Sequence, residues 1–272
     1  MRGVTHAASR VGPSVSEFLE GRERSGRVAS TFSGGVVAAL GTGRGVTLIA
    51  VQSALTHFHP WAVEIETQAR VPVGARVRAG SSALRFEGGP QIRLKSAEVP
   101  ELRALALSAD ARRQAAEELG ALKPKLPQPD LLAPIEAWRR GGDPARLLAL
   151  IGSGPGSSPL GDDLLVGLLA GIATAGTKRP RHLEVGQEIA ASSLVDRTPL
   201  GSVQMLAAAS EGRFPEPLCL LIEALAKRVA EGSQQRDLLA CRVANLLQMG
   251  DSSGTGFLHG LRAGLSASAS SL

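Results

Sequence analysis

Along this chain the spacing of apolar and polar positions changes near Pro100. Before that point the apolar residues come in short runs. Residues 46–51 form a continuous apolar run of strand length, and 61–67 alternate in part, as a half-buried strand does. The runs 71–78, 83–86 and 92–95 continue the pattern. Gly34, Gly35, Gly41, Gly43, Gly45, Gly80, Gly88 and Gly89 separate these runs as turns. Short strands at this spacing predict a small antiparallel sandwich or barrel.

After Pro100 the runs lengthen. Residues 101–119 are rich in Ala, Leu and Arg and lack Gly and Pro, which predicts helix. Pro124, Pro127, Pro129 and Pro134 prevent a continuous helix over 123–134, leaving a linker or crossing segment. Short helices follow at 134–140 and 144–150, then a glycine-rich loop over 152–161 and a helix to about 175. Further helices are expected at 183–195, 200–211, 216–231, 234–248 and 256–265. The fold class is therefore α+β. A β-rich N-terminal domain over 1–100 (small sandwich or barrel) precedes an all-helical domain over 101–272, with a frayed tail from 266.

Composition narrows the function classes. Tyr is absent and Phe and Trp number 6 and 2, so aliphatic side chains must fill the core. The net charge of +5 is a mild excess, mostly arginine and scattered, without the basic patch and interleaved aromatics of a nucleic-acid surface. Affinity for a small anion fits arginine better. The N-terminus lacks the apolar stretch of a signal peptide. The longest apolar stretch, 164–176, falls short of the roughly 20 residues that span a bilayer. A cytoplasmic protein with no membrane and no nucleic-acid partner is expected. Cys219 and Cys241 read as buried, inert thiols.

The strongest chemical signal is Gly152-Ser-Gly-Pro-Gly-Ser-Ser-Pro-Leu-Gly-Asp-Asp163, which opens an apolar helix. Gly152, Gly154, Gly156 and Gly161 let the backbone turn its N–H groups inward, with Pro155 fixing one φ. Ser153, Ser157 and Ser158 add hydroxyls, and the helix start adds its positive dipole end. No Lys-Ser/Thr closes the loop, so it is not a Walker A motif. Asp162 alone could be a helix cap. Adjacent Asp163 makes a pair that could hold Mg²⁺, orient an amide nitrogen, or act as acid and base.

A second loop carries Asp251, Ser252, Ser253, Gly254 and Thr255 ahead of another apolar helix. It reads as a plain cap or as a second donor-rich loop. The stretch 161–171 aligns without gaps to 254–264, with Gly161/Gly254, Leu165/Leu258, Gly167/Gly260, Leu168/Leu261, Ala170/Ala263 and Gly171/Gly264 matching. If the echo is a duplicated helix start, both N-termini should face one cleft. Arg197 could pair with a carboxylate or phosphate, and Thr198 could cap a helix with Pro199 at its first position. His57 and His59 share a strand face but lack a third metal ligand nearby, and Ser33-Gly34-Gly35 reads as a turn.

The first block resembles the hallmark of the AllH-type subunit family of oxamate carbamoyltransferase, a Gly-x-Gly-Pro-Gly-x-x-Pro-x-Gly-Asp-Asp run before an apolar helix. The later Gly250-Asp-Ser-Ser-Gly-Thr-Gly-Phe-Leu-His-Gly260 resembles that family's second block, and Arg197, Thr198 and Ser202 resemble a middle block. The resemblance implies a carbamoyltransferase subunit in allantoin and purine-nitrogen breakdown, where oxalurate plus phosphate interconverts with oxamate plus carbamoyl phosphate. It implies a complex with other subunits, one resembling a succinyl-CoA synthetase, and a small anionic substrate. A non-catalytic anion-binding or assembly role is the alternative. The chain departs from the family at Ser157-Ser-Pro-Leu160, where Leu-Thr-Pro-Ser is usual, and at Gly256, where an Asp is usual.

Overall fold

The structure is a computed structural model that describes residues 4–53, 57–122, 124–176, 180–231 and 235–269. The chain divides into two compact units, Met1–Leu102 and Arg103–Leu272.

The first unit is a closed barrel. Its strands are β1 (Thr5–Val11), β2 (Arg24–Phe32), β3 (Gly35–Leu40), β4 (Thr47–Ser53), β5 (Ala62–Ile65), β6 (Arg76–Gly80), β7 (Ala83–Phe86) and β8 (Gln91–Arg93). Their order around the barrel is β1-β5-β4-β3-β2-β6-β7-β8. Six neighbouring pairs are antiparallel, but β4–β5 and β1–β8 are parallel, so the expectation of an antiparallel sheet holds only in part. Alternation sets the inside: Val36, Ala38 and Leu40 of β3, Val77 and Ala79 of β6, and Leu84 and Phe86 of β7 are all buried. Helix α1 (Pro13–Leu19) adds Val15 and Leu19 to that core. Ser33 and Gly34 are the hairpin turn between β2 and β3, and Ser33 O accepts from Gln68 Nε2. Glu64 is a buried acid, held by Arg10 through Nε at 2.9 Å and Nη2 at 2.6 Å, and by the Ser9 hydroxyl at 2.9 Å.

The second unit is helical: α2 (Ala109–Leu122), α3 (Ala133–Arg139), α4 (Leu160–Ala173), α5 (Pro180–Ala191), α6 (Leu200–Ser210), α7 (Glu216–Glu231), α8 (Arg236–Leu247) and α9 (Ser253–Ala269). Two differences from expectation have local causes. Helix α2 begins at Ala109 rather than near 101, because Ser108 Oγ accepts the Ala111 N–H while Leu107 N–H is drawn to Thr174 O. Pro129–Leu132 and Pro144–Leu150 are 3₁₀ turns, the second capped by Asp143 through the Ala145 N–H. Among the described residues no helix is long and apolar enough to cross a membrane. Cys219 is buried as expected, but Cys241 is exposed, because α8 buries Leu239, Val243 and Leu246 and leaves Cys241 on its other face.

Helix α4 is buried on every side, as an apolar-all-round helix must be. Its principal partner is α9, and glycines set the distance between them. A Cβ at Gly167 would lie 2.2 Å from Phe257 O, and one at Gly260 would lie 2.1 Å from Leu164 O. One at Gly171 would lie 2.5 Å from Leu261 O, and one at Gly264 would lie 2.3 Å from Leu168 O. The partners rise together along both helices, so α4 and α9 run parallel, backbone against backbone. The contacts also exchange under the sequence echo. Gly167 meets Phe257 and Leu261, while its counterpart Gly260 meets Leu164 and Leu168, the counterparts of those two residues. The two echoing segments are thus a pair of helices related by a local two-fold axis along their length.

Candidate functional site

Parallel packing brings two helix starts to one end of the pair. Each carries about half a positive charge, so side by side they favour an anion there. The loop ahead of α4 is shaped by Gly152, Gly154 and Gly156 at φ of 73°, 87° and 107°. Only glycine fits Gly152 on a second count, since a Cβ would lie 1.9 Å from Arg197 O.

Asp162 and Asp163 sit in the first turn of α4 and are 2% and 3% exposed, yet their surroundings differ. Asp162 is fully engaged by protein donors. Its Oδ1 accepts the Gly152 N–H at 2.9 Å, and its Oδ2 accepts the Thr198 hydroxyl. Burial pushes its carboxyl above the usual range, against hydrogen bonds from Thr198, Gly152 and Ser202 and the charge of Arg197. It ties the loop and the start of α6 to α4 rather than capping its own helix. Thr198 correspondingly does not cap α6, whose N-cap position is Pro199 without a side-chain bond. Its hydroxyl is spent on Asp162.

Asp163 keeps an open oxygen. Ser158 Oγ donates to Oδ1 at 3.0 Å, but Oδ2 is buried and accepts no hydrogen bond among the described residues. Burial pushes this carboxyl up to about 7, opposed by the Ser253 and Ser158 hydroxyls and reinforced by the charge of Asp162. Ser253 is the first residue of α9, so the two loops meet at Asp163. Two further contacts join them: a Cβ at Gly156 would lie 3.3 Å from Ser252 Oγ, and one at Gly256 would lie 2.8 Å from Asp163 Cβ. The glycine at 256 is therefore what lets α9 close on Asp163, and a larger residue there would require the helices to separate.

Other residues singled out in the sequence take varied places. Gly154, Pro155, Gly156 and Ser157 are exposed, and the amides of Gly154, Gly156, Ser157 and Ser158 make no hydrogen bond among the described residues. Ser153 is turned back onto Leu150 O at 2.6 Å, and Gly161 N–H donates to Ser153 O at 2.9 Å. Arg197 is exposed, and its Nη2 donates to Leu148 O at 2.6 Å. Asp251 is exposed, Ser252 and Gly254 are buried, and Thr255 is half-buried. His59 accepts the Trp61 N–H on Nδ1 at 3.3 Å, His259 contacts Pro124 O at 2.9 Å, and the His182 side chain lies outside the described residues.

Ser202, placed in the middle block by the resemblance but given no role there, lies at the site. It is 6% exposed, its Oγ is 3.5 Å from Ser158 Oγ, and it hydrogen-bonds Asp162. Its place in the middle block with Thr198 was the available signal. For a cation the site offers little. Both Asp162 oxygens have donors, leaving Asp163 Oδ2, and the described residues contain no group of three or more His, Cys, Asp or Glu that could hold a metal. Mg²⁺ would take most of its ligands from water or substrate oxygens.

These features define a class: a helical unit whose parallel, glycine-packed helix pair presents one buried, incompletely bonded carboxyl beside a glycine-rich loop. Residues 150–265 match a protein-family model described as oxamate carbamoyltransferase subunit AllH, so the resemblance carried by the two loops is shown over that stretch. No curated protein matches the chain, and neither does any solved structure.

Proposed function

We propose that this chain is a subunit of a carbamoyltransferase-like assembly, of the oxamate carbamoyltransferase kind, and that Asp163 is where it meets a small anionic substrate. The observation behind this is Asp163 Oδ2, buried and without a donor where the two helix starts meet. A ligand with an amide N–H and an oxyanion would answer both needs. Its N–H would donate to Oδ2, and its oxyanion would take the free amides of Gly154, Gly156 and Ser157. Ureido acids and carbamoyl phosphate carry both groups.

In phosphorolysis of oxalurate, the bond between the ureido carbonyl carbon and the amide nitrogen breaks, and a carbon–oxygen bond to phosphate forms. The proton of hydrogen phosphate must reach the departing nitrogen, which leaves as the amide of oxamate. A carboxyl shifted to about 7 is suited to carry that proton, taking it from phosphate and giving it to nitrogen. Asp162 acts through Asp163 and the loop as a positioning residue. Positioning both reactants is worth on the order of 7–11 kcal/mol, and one subunit holding one reactant forfeits it. Turnover is therefore expected only with the other subunits present, one of them resembling a succinyl-CoA synthetase. The exposure of Gly154–Ser157 favours a second reading, in which the loop holds an anion or a partner without taking part in chemistry.

The test is phosphorolysis of oxalurate and related ureido acids, with phosphate, Mg²⁺ and each subunit omitted in turn. Asp163→Asn in the full complex should lower kcat by roughly 10²–10⁴-fold, the usual worth of a proton-transfer group. Full activity of the partners without this chain would favour the non-catalytic reading. Robust turnover by this chain alone would remove the need for an assembly.

A further inference from the structure

The outer face of the barrel along β2, β6, β7 and β8 carries an arginine stripe that the helical site does not use. Arg27 of β2 lies directly opposite Arg76 of β6, and Arg78 of β6 lies directly opposite Arg85 of β7. Arg93 of β8 extends the stripe, and all five side chains are exposed. Their inward neighbours Val77, Leu84, Phe86 and Ile92 are buried, which fixes the arginines to the outside of a closed sheet. Like charges placed directly opposite one another destabilise a sheet. Little in the unit relieves them. Arg27 Nη1 donates to Gly74 O, Arg76 reaches Glu87 only at 3.9 Å, and Arg78, Arg85 and Arg93 have no ion pair among the described residues.

We propose that this face docks an extended acidic segment of a partner protein. A closed barrel has no free edge, so a partner cannot add a strand and must be held by outward side chains. Arg76 and Arg78 are alternate residues of one strand, about 6.7 Å apart along it, the spacing of alternate carboxylates on an extended chain. Guanidinium groups bind carboxylates through paired, planar hydrogen bonds. Glu87 argues against a uniformly anionic polymer. Its N–H bonds to Arg76 O, so it ends the Arg27–Arg76 row and would repel a phosphate chain running along it.

The experiment uses the full chain and three probes: a short peptide alternating Glu and Ser, the same peptide with Gln for Glu, and a DNA duplex of matching charge. Binding is followed by fluorescence anisotropy across a salt series. The Glu peptide should bind, the Gln peptide should not, and the double variant Arg78→Glu/Arg85→Glu should bind the Glu peptide about tenfold more weakly or worse. Arg93→Ser provides a milder second variant with a smaller loss. The single variant Arg78→Glu should melt no lower than the wild type, since it converts a repelling pair into an attracting one. Absence of peptide binding, binding undiminished in both variants, or tighter binding to the duplex would each overturn the proposal.

Discussion

Replacing Asp163 by Asn keeps the side chain's shape and removes its ability to ionise. In the folded chain the carboxyl titrates at about 7 instead of 3.8, so it holds a proton across a window where the unfolded chain has lost it. Within that window the native state binds more protons than the unfolded state. Stability contributed by the group is therefore complete below pH 4, falls as pH rises, and is lost once pH passes about 7. A shift of about 3 units at 1.36 kcal/mol each makes the loss roughly 4 kcal/mol. The Asn variant has no such term. The free-energy difference between wild type and Asp163→Asn should therefore change by roughly 4 kcal/mol in the variant's favour between pH 4 and pH 8. Urea unfolding at a series of pH values measures it, provided m stays equal for the two proteins. Parallel stability curves for the two proteins would refute the reasoning, because they would mean that Asp163 ionises in the folded state as readily as in water.

Three other outcomes follow from the same geometry. Gly260→Ala would place a methyl 2.1 Å from Leu164 O, a backbone atom, and should cost about 3 kcal/mol or more by urea unfolding; an unchanged midpoint would contradict the close parallel packing. Thr198→Val removes the donor to Asp162 Oδ2 and should cost about 1–3 kcal/mol. Asp162 should then titrate higher still, which NMR titration of its carboxyl would detect. Under native conditions a thiol reagent should modify Cys241 rapidly and leave Cys219 unreacted until unfolding, since Cys219 is buried and its thiol is pushed up to about 12; two fast thiols would overturn the burial.

The sequence made the β-to-helix change readable because periodicity is local. Strands β4 to β8 stood out as apolar runs between glycines. The parallel junctions β4–β5 and β1–β8, and so the closure of the barrel, depend on pairings distant in sequence that no local run encodes. At the site, Gly152 to Asp163 was readable because a glycine-shaped loop ahead of an apolar helix has few other uses. The division of labour between the two aspartates was not, because it rests on donors reaching both oxygens of Asp162 and leaving Asp163 Oδ2 without one among the described residues. The internal echo was visible as matching letters. Its meaning, glycines facing one another across two parallel helices, required the packing.

The α4–α9 pairing also sets an order of events. These helices form the centre of the unit, but all of α5 to α8 is synthesised between them. Until α9 has left the ribosome, α4 exposes an apolar face with no lasting partner, and Asp163 lacks its Ser253 neighbour. Contacts this distant along the chain close late and slowly. The loop over 152–161 is thus made before its partner and becomes a site only once α9 has been synthesised. Until then the apolar face of α4 stands open to aggregation or to a chaperone.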